Sequence, residues 1–149
     1  MNRDINFSAV RFFQHFFAPS QSVKQILSKY ENVVTENTVA VVIRTGWDDW
    51  QQFLLEKDPL KFPICLKGWK DAGGLPEKIN VLVTSDREDV KKETVKKLEE
   101  FGFDVIYLDD SYTHVSTPES IAKVHKTIAE FHLLSMTGYG LLTSSSLFG

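Results

Sequence analysis

Residues Val39-Ala40-Val41-Val42-Ile43 constrain this chain most: they contain no polar position, and the run ends abruptly in Arg44-Thr45-Gly46. A strand with one wet face alternates apolar and polar residues, because successive side chains point to opposite sides of a sheet. A run that is apolar on both faces suits a sheet covered by helices on both sides. Further runs at 79–84, 103–108 and 141–143 are separated by helical patterns. Strands that alternate with helices imply βαβ crossovers and a parallel sheet. The expected fold class is α/β, a Rossmann-like parallel sheet flanked by helices.

Ahead of the first strand, residues 1–36 read as a helical lead-in, and 37–149 as the Rossmann-like domain. Phe7, Val10, Phe13, Phe16 and Phe17 recur at helical spacing until Ala18-Pro19-Ser20 breaks the pattern. Ser22 and Gln25 fit a capping box for a second helix carrying Val23, Ile26, Leu27 and Tyr30. Trp47, Trp50, Phe53 and Leu54 fit a short helix closed by Asp58-Pro59, and 62–69 another with Pro63 in its first turn. Ser85 or Asp86 is placed to cap a helix over 87–101, which Gly102 stops. Val90, Val95 and Leu98 face inward there, and the lysines and glutamates between them make a solvated face. Ser116-Thr117-Pro118-Glu119 is a capping box for a last helix reaching about Met136, with Ile121, Val124, Ile128 and Phe131 along one face.

A chain of 149 residues with 42% hydrophobic content has enough apolar mass for one buried core. The net charge of −3 gives no electrostatic reason to expect nucleic acid or an anionic membrane as partner. The single cysteine, Cys65, excludes an internal disulfide and any multi-cysteine metal site, and it reads as a buried structural thiol. No apolar run approaches the roughly 20 residues of a membrane helix, and Met-Asn-Arg-Asp-Ile-Asn lacks the apolar core of a signal peptide. The chain as given reads as soluble, without a membrane segment. Its end, directly after Ser144-Ser145-Ser146-Leu147-Phe148-Gly149, reads as a truncation.

Ligands of open parallel sheets bind beyond the carboxyl ends of the strands. Polar chemistry gathers at three such ends: Arg44-Thr45-Gly46, Thr84-Ser85-Asp86-Arg87 and Thr143-Ser144-Ser145-Ser146. Arginine forks onto a phosphate through parallel donors in a way that lysine cannot. A serine cluster at a turn offers hydroxyls and backbone N–H groups to an anion. Aspartate accepts from a guanine N–H edge or from a ribose hydroxyl. Each motif has a plainer structural use, as an ion pair, a helix cap or a capped turn. Together, on one sheet edge, they point to a phosphate-bearing ligand.

Other chemistries lack their residues. No glycine-rich dinucleotide fingerprint follows a strand, and no Walker lysine motif is present. The histidines at 15, 114, 125 and 132 show no metal-ligand spacing with carboxylates, and no Ser-His-Asp order is identifiable. No metal is expected.

In this order the motifs resemble the fucosyltransferases of the GT-B fold, and most closely the plant-type xyloglucan fucosyltransferase family. Phe16-Phe17-Ala18-Pro19-Ser20 is similar to that family's helix break, and Val41-Val42-Ile43-Arg44 to the strand whose arginine grips the donor diphosphate. Val81-Leu82-Val83-Thr84-Ser85-Asp86 resembles its second motif. Ala129-Glu130-Phe131-His132-Leu133-Leu134-Ser135, followed by Thr143-Ser144-Ser145-Ser146-Leu147-Phe148-Gly149, resembles the helix and turn that close the donor site.

The resemblance implies the C-terminal, donor-binding part of a metal-independent, inverting enzyme that uses GDP-fucose, a nucleotide sugar, as donor and a glycan as acceptor. It implies a role for Arg44 in neutralising the leaving diphosphate, with Thr45 beside it. It implies phosphate or sugar contacts for Ser144, Ser145 and Ser146, nucleoside contacts for Ser85 and Asp86, and base or ribose packing for Phe148. A separate acceptor-binding domain and residence in the Golgi lumen follow from the same resemblance. Val42 stands where related O-fucosyltransferases carry histidine. That difference keeps open a non-catalytic sugar-nucleotide-binding domain, and a generic α/β interaction domain is the third reading.

Overall fold

A computed structural model describes residues 18–45, 58, 60–109 and 121–143. Within them lie four strands, β1 (Thr38–Ile43), β2 (Asn80–Ser85), β3 (Asp104–Ile106) and β4 (Tyr139–Leu142), and four helices, α1 (Gln21–Leu27), α2 (Lys61–Asp71), α3 (Glu88–Glu100) and α4 (Ile121–Leu134). The strands form one sheet in the order β3-β2-β1-β4, and every pairing is parallel. Val39 sits opposite both Val81 and Tyr139, so β1 is flanked on both sides. The α/β class and the parallel sheet expected from the alternating pattern are both present.

Both faces of β1 are covered, as its unbroken apolar run requires, and all six of its residues are buried. On one face Val39, Val41, Ile43, Val81 and Val83 pack against Phe62 and Leu66 of α2 and Val90, Val95 and Leu98 of α3. On the other, Leu82 and Leu108 meet Val23 of α1 and Ala129 and Leu133 of α4. The result is a three-layer sandwich with the sheet in the middle. Burying each such aliphatic side chain contributes about 1.5–3 kcal/mol. Among the described residues, no helix is long and apolar enough to cross a membrane.

Local chemistry sets the helix ends. Ser20, not Ser22, is the N-cap of α1, its hydroxyl accepting from the N–H of Val23 at 3.4 Å. The expected box lies two residues too late, because Ser22 is already helical. Gly102 stops α3 as expected: at φ 78° it takes the left-handed conformation, its N–H donates to Glu99, and the Phe103 N–H donates to Leu98. That is a Schellman ending, in which glycine avoids the Cβ penalty of positive φ. Glu88 and Asp89 in the first turn and Lys97 in the last complement the helix dipole.

Four further expectations need correction. Arg87 is the N-cap of α3 and makes no side-chain cap bond, so neither Ser85 nor Asp86 caps that helix. Lys91, placed on the solvated face by its charge, is 1% exposed. Cys65 lies exposed on α2 rather than buried. The third strand is only three residues long, since β3 is an edge strand with β2 as its one neighbour. The short helix near Trp47, the box at Ser116 to Glu119 and the Phe-rich stretch at 7–17 lie outside the described residues.

Candidate functional site

Strand order decides where a ligand site belongs. From β1 the chain steps outward to β2 and then β3, then crosses through α4 to the opposite side of β1, where β4 pairs. The direction of winding therefore reverses between β1 and β4. At such a switch point the flanking connections lie on opposite faces and leave a crevice at the carboxyl ends. Arg44 follows β1 directly, and Thr143 follows β4.

The two ends are tied to each other. The Arg44 N–H donates to Thr143 Oγ1 at 3.0 Å, and the Thr143 N–H donates to the Val42 carbonyl at 3.1 Å. The same Thr143 hydroxyl donates to that carbonyl at 3.4 Å. Thr143 is 4% exposed, so these bonds are shielded from water. Ser144 is the next residue in the chain.

On the other flank, β2 delivers Asp86. Its Oδ1 accepts from the Thr45 N–H at 2.9 Å and from the Thr45 hydroxyl at 3.1 Å, and its Oδ2 lies 3.1 Å from the same N–H. The Arg44 Nε is 3.8 Å from Asp86 Oδ2. Asp86 is nearly buried, whereas the Arg44 side chain is 26% exposed. A buried carboxylate beside a partly exposed guanidinium orients the cation and leaves part of it in contact with solvent. In this arrangement Asp86 shapes the β1 end, a role that an isolated strand-end aspartate does not reveal.

The neighbouring residues at the β2 end are engaged locally. Ser85 is 2% exposed, and its hydroxyl accepts from the Arg87 N–H at 3.2 Å, a short turn ahead of α3. Arg87 forks onto Asp89, its Nε 3.0 Å from Oδ1 and its second nitrogen on Oδ2. These bonds hold the Asp89 carboxyl below its usual range. Arg44 is thus the arginine at the switch point, while Arg87 is paired on the surface.

Arg44, Thr45 and Asp86 therefore come together, with Ser85 beside them facing its own turn. Ser144, Ser145, Ser146 and Phe148 lie outside the described residues. In the sequence Thr143 reads as the end of the fourth strand and the opening of the serine turn; the strand itself is Tyr139–Leu142, and Thr143 follows it. Its bond to the β1 end follows from β1 pairing with β4, which residue spacing alone does not disclose.

No family model, curated protein or solved structure matches this chain. Among the described residues, no group of three or more histidine, cysteine, aspartate or glutamate side chains could hold a metal ion.

Proposed function

We propose that the chain is the donor-binding domain of a glycosyltransferase that transfers fucose from GDP-fucose to a glycan acceptor, inverting and independent of metal. The observation that carries this reading is the bond from the Arg44 N–H to Thr143 Oγ1. It ties the arginine strand end to the residue that precedes Ser144, at the switch point of a parallel sheet. In this reading the cationic fork and the hydroxyl-rich turn serve one pyrophosphate. The guanosine and the fucose come from the motif resemblance, as does residence in the Golgi lumen.

In this reading Arg44 neutralises charge that grows on the diphosphate as the bond to the fucosyl carbon breaks. It is worth more to the transition state than to the bound donor. Ser144, Ser145 and Ser146 donate to the phosphates or orient the sugar. Thr45 and Asp86 hold the β1 end in place, with Asp86 on the nucleoside side, and Phe148 packs the base or ribose; Ser85, turned toward the Arg87 N–H, shapes the turn beside them. The motif resemblance implies a separate domain that binds the glycan acceptor.

Calorimetric titration with GDP, GDP-fucose and UDP tests the reading. Guanine-selective binding, weakened at least tenfold by Arg44→Ala, is the expected result. Absence of binding to all three, or binding that ignores both the base and Arg44, would overturn it.

A further inference from the structure

Of the residues that meet at the switch point, Asp86 is the most enclosed, and its oxygens already have occupants. Asp86 is 5% exposed. Oδ1 accepts from both the N–H and the hydroxyl of Thr45, and Oδ2 lies 3.1 Å from that N–H and 3.8 Å from Arg44 Nε. A carboxylate committed in this way has little capacity left for a ribose hydroxyl or a guanine N–H edge.

Arg44 is the reverse case. Its main chain is fixed by the bond to Thr143, and its guanidinium meets Asp86 at Nε, the nitrogen nearest the main chain. Among the described residues its two terminal nitrogens donate no hydrogen bond, and the side chain keeps partial contact with solvent. A guanidinium held at Nε presents its outer edge, the pair of donors that forks onto an oxyanion, in one direction. Holding it there in advance spares the binding step the cost of ordering a long side chain.

We infer that Asp86 is a positioning residue, which reaches the ligand only through Arg44. The inference rests on the nucleotide reading above and differs from the nucleoside contact that the motif resemblance implies. Asp86 stands on the nucleoside side of the fork without touching the nucleoside.

Charge and orientation pull in opposite directions here, so the sign of one substitution is decisive. Asp86→Asn removes a negative charge from beside a diphosphate, which by itself tightens binding. It also replaces one carboxylate oxygen with an NH2 group that cannot accept from Nε, while the remaining carbonyl still serves Thr45. Orientation outweighs charge in this inference, so affinity falls.

Titration of the full chain with GDP and with inorganic pyrophosphate tests it. Asp86→Asn weakens both ligands by the same factor, about fivefold, and in an Arg44→Ala background it changes neither, because the two positions act as one unit. Without ligand, the Arg44 Nε–H resonance in proton–nitrogen NMR, assigned by its loss in Arg44→Lys, moves toward that of a free side chain in Asp86→Asn. A loss for GDP alone, tighter binding, or a loss undiminished without Arg44 would overturn the inference and leave the nucleotide reading in place. So would an Arg44 resonance that Asp86→Asn leaves unmoved. Failure of the parent chain to bind either ligand would overturn both.

Discussion

Asp86 holds Thr45 through both carboxylate oxygens, with Oδ1 and Oδ2 at 2.9 and 3.1 Å from the same backbone N–H. The two residues are 41 positions apart, at the ends of adjacent parallel strands. The carboxylate therefore ties the β1 end to β2 just beyond the last paired residues, Ile43 and Ser85.

Removing that tie strands a donor and a cation together. Asp86→Ala leaves the Thr45 N–H without this acceptor and takes away the counter-charge at Arg44, at a cost of about 1–3 kcal/mol. Asp86→Asn keeps a carbonyl oxygen for the N–H and costs less. Urea unfolding of both variants checks the order, and an alanine variant as stable as the parent would show that the tie contributes nothing.

The parallel sheet was legible because Val39 to Ile43 permits so few environments, and the stop at Gly102 because positive φ leaves few residues to choose from. Harder to read was α4, which is apolar on more than one side. Periodicity finds the Ile121, Ile128 and Phe131 stripe, but it cannot tell that Lys126 and Glu130 turn toward the sheet instead. Those two stand 4.0 Å apart as an ion pair one turn apart, and such pairing is what allows charges to be buried. The site was legible as strand-end chemistry at Arg44 and Asp86. The bonds from Asp86 to Thr45 and from Arg44 to Thr143 were not, because they depend on which strands become neighbours.

Lys91 shows the same limit from a different element. Its ammonium donates to the Leu108 carbonyl at 2.7 Å and lies 2.8 Å from a Glu88 carboxylate oxygen, an ion pair by distance. It thereby fastens α3 to the segment leaving β3. Lys91→Met preserves the buried stem but leaves the carbonyl and the carboxylate without this partner. The expected loss is about 1–3 kcal/mol by urea unfolding. A methionine variant more stable than the parent would mean that apolar packing outweighs the lost bonds, as it does for some buried ion pairs.

Two glycines predict opposite outcomes for one substitution. Gly68 lies inside α2, and a Cβ there would meet no atom within 4 Å. Gly68→Ala should stabilise the chain by about 0.5–1 kcal/mol through helix propensity. At Gly138 a Cβ would fall 2.1 Å from the Glu36 carbonyl oxygen, so backbone must shift. Gly138→Ala should destabilise by about 1–3 kcal/mol. Thermal melts of the two variants moving in the same direction would refute this reading of the α4–β4 junction.

Tyr30 links stability to alkaline pH. Burial pushes its phenol above the ordinary value, and the nearby Asp109, Glu130 and Tyr107 add to the rise. Folding therefore favours the protonated phenol. The contribution is whole below the unfolded value of about 10 and is lost as pH climbs from there through the higher folded value. Urea midpoints measured from pH 8.5 to 11 should fall at the upper end, and the fall should be shallower in Tyr30→Phe, which has no proton to lose. Other tyrosines and the lysines titrate in the same range, so the difference between the two curves isolates the Tyr30 part. Parallel curves across that window would place the phenol in an environment no less polar than water.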